Sequence, residues 1–165
     1  MAALTVGTRA PDFTLPTMDG KQFSLKDALT RGPVLAAFFK IFCPVCQFAF
    51  PFIERIYKAH GNRNVTTVGI SQNEKKDTAA FIREYGITFP VLLDDTSSYP
   101  ASNAYGLTNV PSLFWIAPDG EIEVSCVGWA RKEIDEINQK AGETSGEKPR
   151  TIFRPGEDVP EFRAG

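Results

Sequence analysis

The six residues Val34 to Phe39, VLAAFF, are apolar without interruption. The run is far short of the ~20 apolar residues of a membrane span, and it fits a strand buried on both faces. Such a strand needs a covering layer on each side. It leads into Cys43-Pro44-Val45-Cys46 and then into a helical pattern, with apolar residues at Ala49, Phe52, Ile53 and Ile56. Gly61 is the expected helix stop, because glycine adopts positive φ at little cost. Two thiols therefore sit where a buried strand hands over to a helix. Pro44 suits the first helical position, where its missing N–H would be unpaired anyway. That makes Cys43 the expected N-cap, facing unpaired backbone N–H groups and the positive end of the helix dipole. Such positions stabilise a thiolate. Cys46, inside the first turn, is expected to be more buried and less reactive. Residues three apart share a helix face, so the two sulfurs can close a disulfide. The pattern assigns Cys43 as the attacking thiol and Cys46 as the resolving one.

Composition narrows the alternatives. A chain of 165 residues with 42% hydrophobic content fits one globular domain, and 13 Phe predict an aromatic-rich core. The formal net charge is −2 and no basic run occurs, which argues against a nucleic-acid or anionic-membrane partner. The opening MAALTVGTRAPDF lacks a basic stretch followed by an apolar one, so no secretory signal is recognised and a cytoplasmic location is expected. Three cysteines include one CxxC pair, which in a reducing compartment points to catalysis or metal binding rather than a structural staple. Zinc needs four ligands, and beyond Cys43 and Cys46 the chain offers Cys126 and His60 alone of the Cys and His types.

Along the chain, Phe13 to Leu25 reads as two short strands around an Asp19-Gly20 turn. Ser24 and Asp27 resemble a capping box for a short helix, Leu25 to Leu29, broken by Gly32-Pro33. Val65 to Ile70 reads as a strand, Asp77 to Tyr85 as a helix stopped by Gly86, and Phe89 to Leu93 as a strand ending at Asp94-Asp95. These two aspartates suit a loop turn better than a metal site. A brief helix, Pro100 to Tyr105, closes at Gly106. Ser112 to Ala117 and Glu121 to Val127 flank a Pro118-Asp119-Gly120 turn, with Ile122, Val124 and Cys126 on one face. Arg131 to Ala141 is an amphipathic helix with Ile134 and Ile137 inward. Residues 1–141 thus form one α/β domain with a mixed central sheet flanked by helices, and 142–165 an extended tail whose expected anchors are Ile152, Phe153, Val159 and Phe162.

This order, a hairpin, βα with CxxC, βα, then ββα, resembles the thioredoxin superfamily. Pro51 lies where its members kink the active-site helix, and Val110-Pro111 precedes the antiparallel hairpin at family spacing. The segment Asp77 to Asp95 with Phe89-Pro90-Val91-Leu92-Leu93-Asp94, together with Asn109-Val110-Pro111-Ser112, is similar to the TlpA/ResA-type branch. Ala10-Pro11-Asp12-Phe13 resembles the opening that this branch shares with peroxiredoxins of the AhpC/TSA type. The resemblance implies a thioredoxin-like fold and CxxC dithiol exchange without an organic cofactor. It implies disulfide-bearing protein or small-molecule substrates, an upstream thiol reductant, a monomer, and a role in redox homeostasis, working as a reductase. It implies that Pro111 is cis and packs against the sulfurs, and that the Val110 backbone pairs with substrate. Phe42 stands at the usual Trp position as an apolar rim beside Cys43 and Pro44; Val45 and Phe48 either extend that rim or simply pack.

The departures are informative. Ala37 and Ala49 occupy the positions where the family carries an Asp or a Glu to move the proton of the resolving thiol. Lys40 is the ionisable residue near the strand end, either stabilising a thiolate by charge or merely solvated. Cys126 reads as a small apolar core residue, and His60 as a contact with a helix C-terminus. Two competing functions follow from the same resemblance. A peroxiredoxin-like peroxidase would need Pro, and Thr or Ser, where Ala36 and Lys40 stand. A copper-delivery module would need CxxxC and a distant His, whereas here the spacing is one residue short.

Overall fold

A computed structural model describes residues 3–60 and 64–165. The N-terminal hairpin pairs β1 (Thr14–Pro16) with β2 (Gln22–Ser24), and Ser24 caps α1 (Leu25–Leu29) by accepting the Asp27 N–H at 3.2 Å. Next come β3 (Val34–Phe39), α2 (Pro44–His60), β4 (Thr66–Ser71), α3 (Lys75–Tyr85), β5 (Val91–Leu93) and α4 (Pro100–Ala104). The chain continues with β6 (Ser112–Ile116), β7 (Ile122–Val127), β8 (Trp129–Ala130), α5 (Arg131–Ser145) and β9 (Phe162–Arg163). The expected helix stop at Gly61 lies outside the described residues.

The central sheet has the order β5-β4-β3-β6-β7. The β3–β4 and β4–β5 pairs are parallel, and β3–β6 and β6–β7 antiparallel. Strand β3 is central and buried at every position. Its alternate residues serve two cores. Leu35, Ala37 and Phe39 face α2, Phe81 of α3, and Ile134 and Ile137 of α5. Val34, Ala36 and Phe38 face the hairpin, α1 and Tyr105. An uninterrupted apolar strand covered on both sides is what the run VLAAFF calls for. The Phe content is spent here: Phe39, Phe50 and Phe81 pack ring on ring with centroids 4.4–5.6 Å apart.

Buried polar groups tie the layers. Glu54, buried on α2, accepts from the Thr88 N–H at 2.8 Å, the Thr88 hydroxyl at 2.5 Å and the Phe89 N–H at 3.4 Å. This is why β5 begins at Val91 rather than Phe89: the Phe89 amide is committed to a side chain. Buried Asp94 accepts from the Ala101 and Ser102 N–H groups and the Ser102 hydroxyl, organising the start of α4 as a loop aspartate would.

Helix α5 runs past Ala141 to Ser145 and closes at Gly146, whose φ is 74°. Gly142 lies inside it. A Cβ there would lie 3.0 Å from Pro149, so the glycine admits the returning chain. Residues 147–165 then lie against α2. Ile152 is buried, and Phe153 and Val159 pack against the core. Phe162, expected as an anchor, is 61% exposed. It belongs to β9, which pairs Trp129 with Arg163 and Ala130 with Phe162. Strand alternation sends Phe162 outward and brings the Arg163 guanidinium to 5.0 Å from the Phe48 ring centroid.

Arg55 of α2 clamps the tail. It donates to the Ile152 carbonyl at 2.9 Å and, bidentately, to Glu157 at 2.8 and 2.7 Å. That hydrogen bonding lowers the Glu157 pKa from 4.5 to about 2. A carboxylate with a depressed folded-state pKa contributes stability that is complete above its unfolded value and is lost as pH falls. Wild type should therefore exceed Glu157→Gln in thermal midpoint above pH 4.5, with the gap closing toward pH 2. Midpoints of both proteins between pH 2 and 7 check this, and a gap independent of pH would contradict it.

His60 lies in the last turn of α2, as expected. It is buried beneath the tail, its Nε2 accepts the Arg150 N–H at 3.5 Å, and burial lowers its pKa.

Candidate active site

The site lies at the end of β3. The loop that leaves it is held from two sides, by the Ile41 N–H donating to Asn73 Oδ1 at 3.0 Å and by Gln47 Nε2 donating to the Ile41 carbonyl at 2.9 Å. Pro44 opens α2. The Gln47 N–H donates to the Cys43 carbonyl at 2.9 Å, and the Cys46 N–H donates to Cys43 Sγ at 3.2 Å. These two bonds put Cys43 in the N-cap position, with its sulfur doing the work of the usual capping oxygen. Negative charge on that sulfur meets an aimed N–H and the positive end of a 17-residue helix.

The thiols differ sharply in surroundings. Cys43 is half-buried, and its Sγ also lies 3.4 Å from the Val110 carbonyl oxygen. Cys46 is fully buried. Burial first, and then the hydrogen bond with the Cys43 side chain, push the Cys46 thiol far above its ordinary range. Cys126 is also buried, opposite Leu113 in the β6–β7 ladder, and burial raises its pKa to about 12. It packs as a small apolar side chain within the same core as Cys46.

Beside Cys43 opens a cavity of about 380 Å³, bounded by Lys40, Gln72, the loop 107–110 and Gly165. The Val110–Pro111 peptide is cis, and Pro111 is buried at the start of β6. Phe42 is 84% exposed next to Cys43, and Pro44 is exposed beside it. Lys40 is exposed and lines the cavity. Val45 and Phe48 are not part of the rim. Val45 is buried in the core beneath the site, and Phe48 stacks edge-on against Trp129 at 4.9 Å with Arg163 over its face. The tail covers this flank of α2, which no local pattern around Phe48 announces. Ala37 and Ala49 are fully buried, so the interior around Cys46 is apolar where a carboxylate was looked for. Among the described residues, no three His, Cys, Asp or Glu side chains are grouped to hold a metal ion. No helix among them is long and apolar enough to cross a membrane.

Sequence reasoning missed Asn73, Gln47, Gln72 and Asn109. Asn73 reaches the loop from 32 positions away, so no local spacing signals it. Asn109 does have a signal, since it immediately precedes Val110-Pro111.

The chain belongs to the AhpC/TSA family, whose profile matches residues 6–125. It is 31% identical over 148 residues to the thiol-disulfide oxidoreductase ResA of Bacillus subtilis, an alignment spanning 87% of this chain and 81% of that one. Among solved structures, a thioredoxin family thiol:disulfide interchange protein from Chlorobium tepidum superposes with a TM-score of 0.68 at 29% identity, over 84% of this chain and 99% of that one. The thioredoxin domain of a thiol-disulfide oxidoreductase from Bacteroides vulgatus shares the fold, with a TM-score of 0.74 at 21% identity over 84% and 98% of the two chains. The protein is thus a thioredoxin-fold enzyme of thiol–disulfide exchange.

Proposed function

We propose that Cys43 and Cys46 are the redox pair, and that the enzyme works as a disulfide reductase in redox homeostasis, as a cytoplasmic monomer. One observation carries the assignment of roles: the Cys46 N–H points at Cys43 Sγ while the Cys46 thiol itself is sealed from solvent. The accessible sulfur is the one that attacks; the sealed sulfur one turn away is the one that resolves.

The Cys43 thiolate attacks one sulfur of a substrate disulfide. A Cys43–substrate disulfide forms and the second substrate sulfur leaves as a thiolate, taking a proton from solvent. Cys46, losing its proton, then attacks Cys43 Sγ. The Cys43–Cys46 disulfide forms and the first substrate sulfur leaves. Two electrons have passed from the dithiol to the substrate, and an external dithiol restores the pair by the reverse exchange. Val110 and Pro111 wall the approach to Cys43, Phe42 and Pro44 offer an apolar lip, Val45 supports the turn from below, and Lys40 adds positive charge at the cavity.

Ala37 and Ala49 offer the buried Cys46 thiol no carboxylate to take its proton, so resolution is the step that depends on hydroxide. Its rate should climb about tenfold per pH unit through the neutral and alkaline range, as the thiolate fraction does below a raised pKa. Stopped-flow release of substrate thiol from a preformed Cys43 mixed disulfide between pH 6 and 9 measures it; a pH-independent rate would show a proton acceptor within the site. The overall assignment is tested by turnover of a protein disulfide with a dithiol reductant, which should require both cysteines.

A further inference from the structure

The tail reaches the site. The Arg131 N–H donates to the Glu161 carbonyl at 2.9 Å, Trp129 and Ala130 pair with Arg163 and Phe162, and Asn109 Nδ2 donates to the Gly165 carbonyl at 3.0 Å. These contacts seat Gly165 against the backbone of Val110, the residue whose carbonyl lies 3.4 Å from Cys43 Sγ. The fit leaves no room. A Cβ on Gly165 would fall 2.9 Å from the Val110 carbonyl carbon and would overlap its oxygen, and a Cβ on Gly128, whose φ is 75°, would fall 2.9 Å from the Gly165 nitrogen. Gly165 also forms part of the wall of the cavity into which Cys43 opens.

We propose that residues 161–165 are a strap across the approach to Cys43 that sets substrate size: a small disulfide enters the cavity with the strap in place, whereas a disulfide held in a polypeptide reaches Cys43 only when the strap lifts. This inference rests on Cys43 being the attacking thiol. A substrate sulfur must come within bonding distance of Cys43 Sγ and so must pass Val110 and Gly165. The cavity of about 380 Å³ lies at the lower end of the ~300–1,000 Å³ range of small-ligand sites. A polypeptide brings flanking residues on both sides of its disulfide, and the free edge of the loop at Val110 is already taken by the tail.

The strap is held by the Arg131–Glu161 and Asn109–Gly165 hydrogen bonds, one pairing of two-residue strands and a cation over a ring, with no side chain of its own in the core. The fraction of molecules with the strap lifted therefore scales the apparent rate on polypeptides and leaves small disulfides largely untouched. Two full-length variants loosen it, Gly128→Ala by steric overlap with the Arg163 carbonyl and the Gly165 nitrogen, and Arg163→Pro by removing an amide donor and the guanidinium over Phe48. The readouts are amide exchange at Arg131 and kcat/KM on two substrates, a small disulfide (the disulfide of thioglycolate) and insulin. We expect faster exchange in both variants and a gain of about tenfold on insulin with less than about twofold change on the small disulfide. Faster exchange with equal effects on the two substrates would overturn the strap's role. Unchanged exchange in both variants would also overturn it, because these contacts would then not be what holds the tail. Absence of turnover of either substrate by the wild-type enzyme would instead refute the reductase assignment itself.

Discussion

Replacing Cys43 by serine should abolish turnover of disulfides, by roughly three orders of magnitude or more, as loss of a nucleophile does. The expectation follows from sulfur chemistry at one helix end. Oxygen at the same place would still accept the Cys46 N–H, so the turn and the start of α2 should survive. A hydroxyl, however, is not ionised near neutral pH and does not exchange with disulfides. Far-UV spectra and unfolding midpoints should match wild type while the rate vanishes. Cys46→Ser is expected to behave differently. Its Cys43 retains attack, so substrate thiol is released once per enzyme molecule, and the reaction then stalls at the mixed disulfide. The contrast between no burst and a single stoichiometric burst separates the two roles; equal bursts from the two variants would contradict them. Cys126→Ser should change neither rate nor burst, since Cys126 is buried in the β6–β7 ladder and its Sγ faces the Gly128 carbonyl at 3.5 Å.

The largest effect on stability is expected at Trp129. Its ring is fully buried and meets Phe48, Phe52 and Phe153 with centroids 4.9, 5.0 and 6.2 Å away. Its Nε1 donates to the Pro160 carbonyl at 2.7 Å, which ties the tail to the domain. Trp129→Ala removes the packing and strands that carbonyl, for a cost of about 3–5 kcal/mol. With a urea dependence of about 1–3 kcal/mol per molar, the unfolding midpoint should fall by 1 M or more. Trp129→Phe retains most of the ring contacts and loses the hydrogen bond, so it should cost markedly less. Urea unfolding of the three proteins decides the matter. A midpoint for Trp129→Ala within about 0.3 M of wild type would show that the tail side of α2 contributes little to stability.

The elements that position the chemistry were legible because their signals are local. VLAAFF fits a strand buried on both faces, Pro44 suits a helix start, and a thiol before that proline becomes a cap. Gly86 stops α3 as expected, with a φ of 65°. The failures are equally physical. The tail reads as starting at residue 142, but α5 continues to Ser145 and Gly142 receives Pro149, which the sequence cannot show because the partner arrives from a later segment. Between rim and packing, the two alternatives open for Val45 and Phe48, packing holds, since the core claims Val45 and the tail covers Phe48. Phe162 was read as an anchor by its apolarity, but the register of a two-residue strand gives the inward position to Arg163. The tail's approach to the active site had no sequence signal at all, because backbone pairing is indifferent to side-chain pattern in so short a strand.

The measurement that bears most directly on the paired-thiol site is the identity of the trapped sulfur. Cys46→Ser is mixed with a stoichiometric disulfide substrate, quenched in acid, digested and mapped by mass spectrometry. The adduct should sit on Cys43 in near-full occupancy, with Cys126 unmodified. An adduct on Cys126, or none on Cys43, would contradict the assignment of the attacking thiol and with it the mechanism.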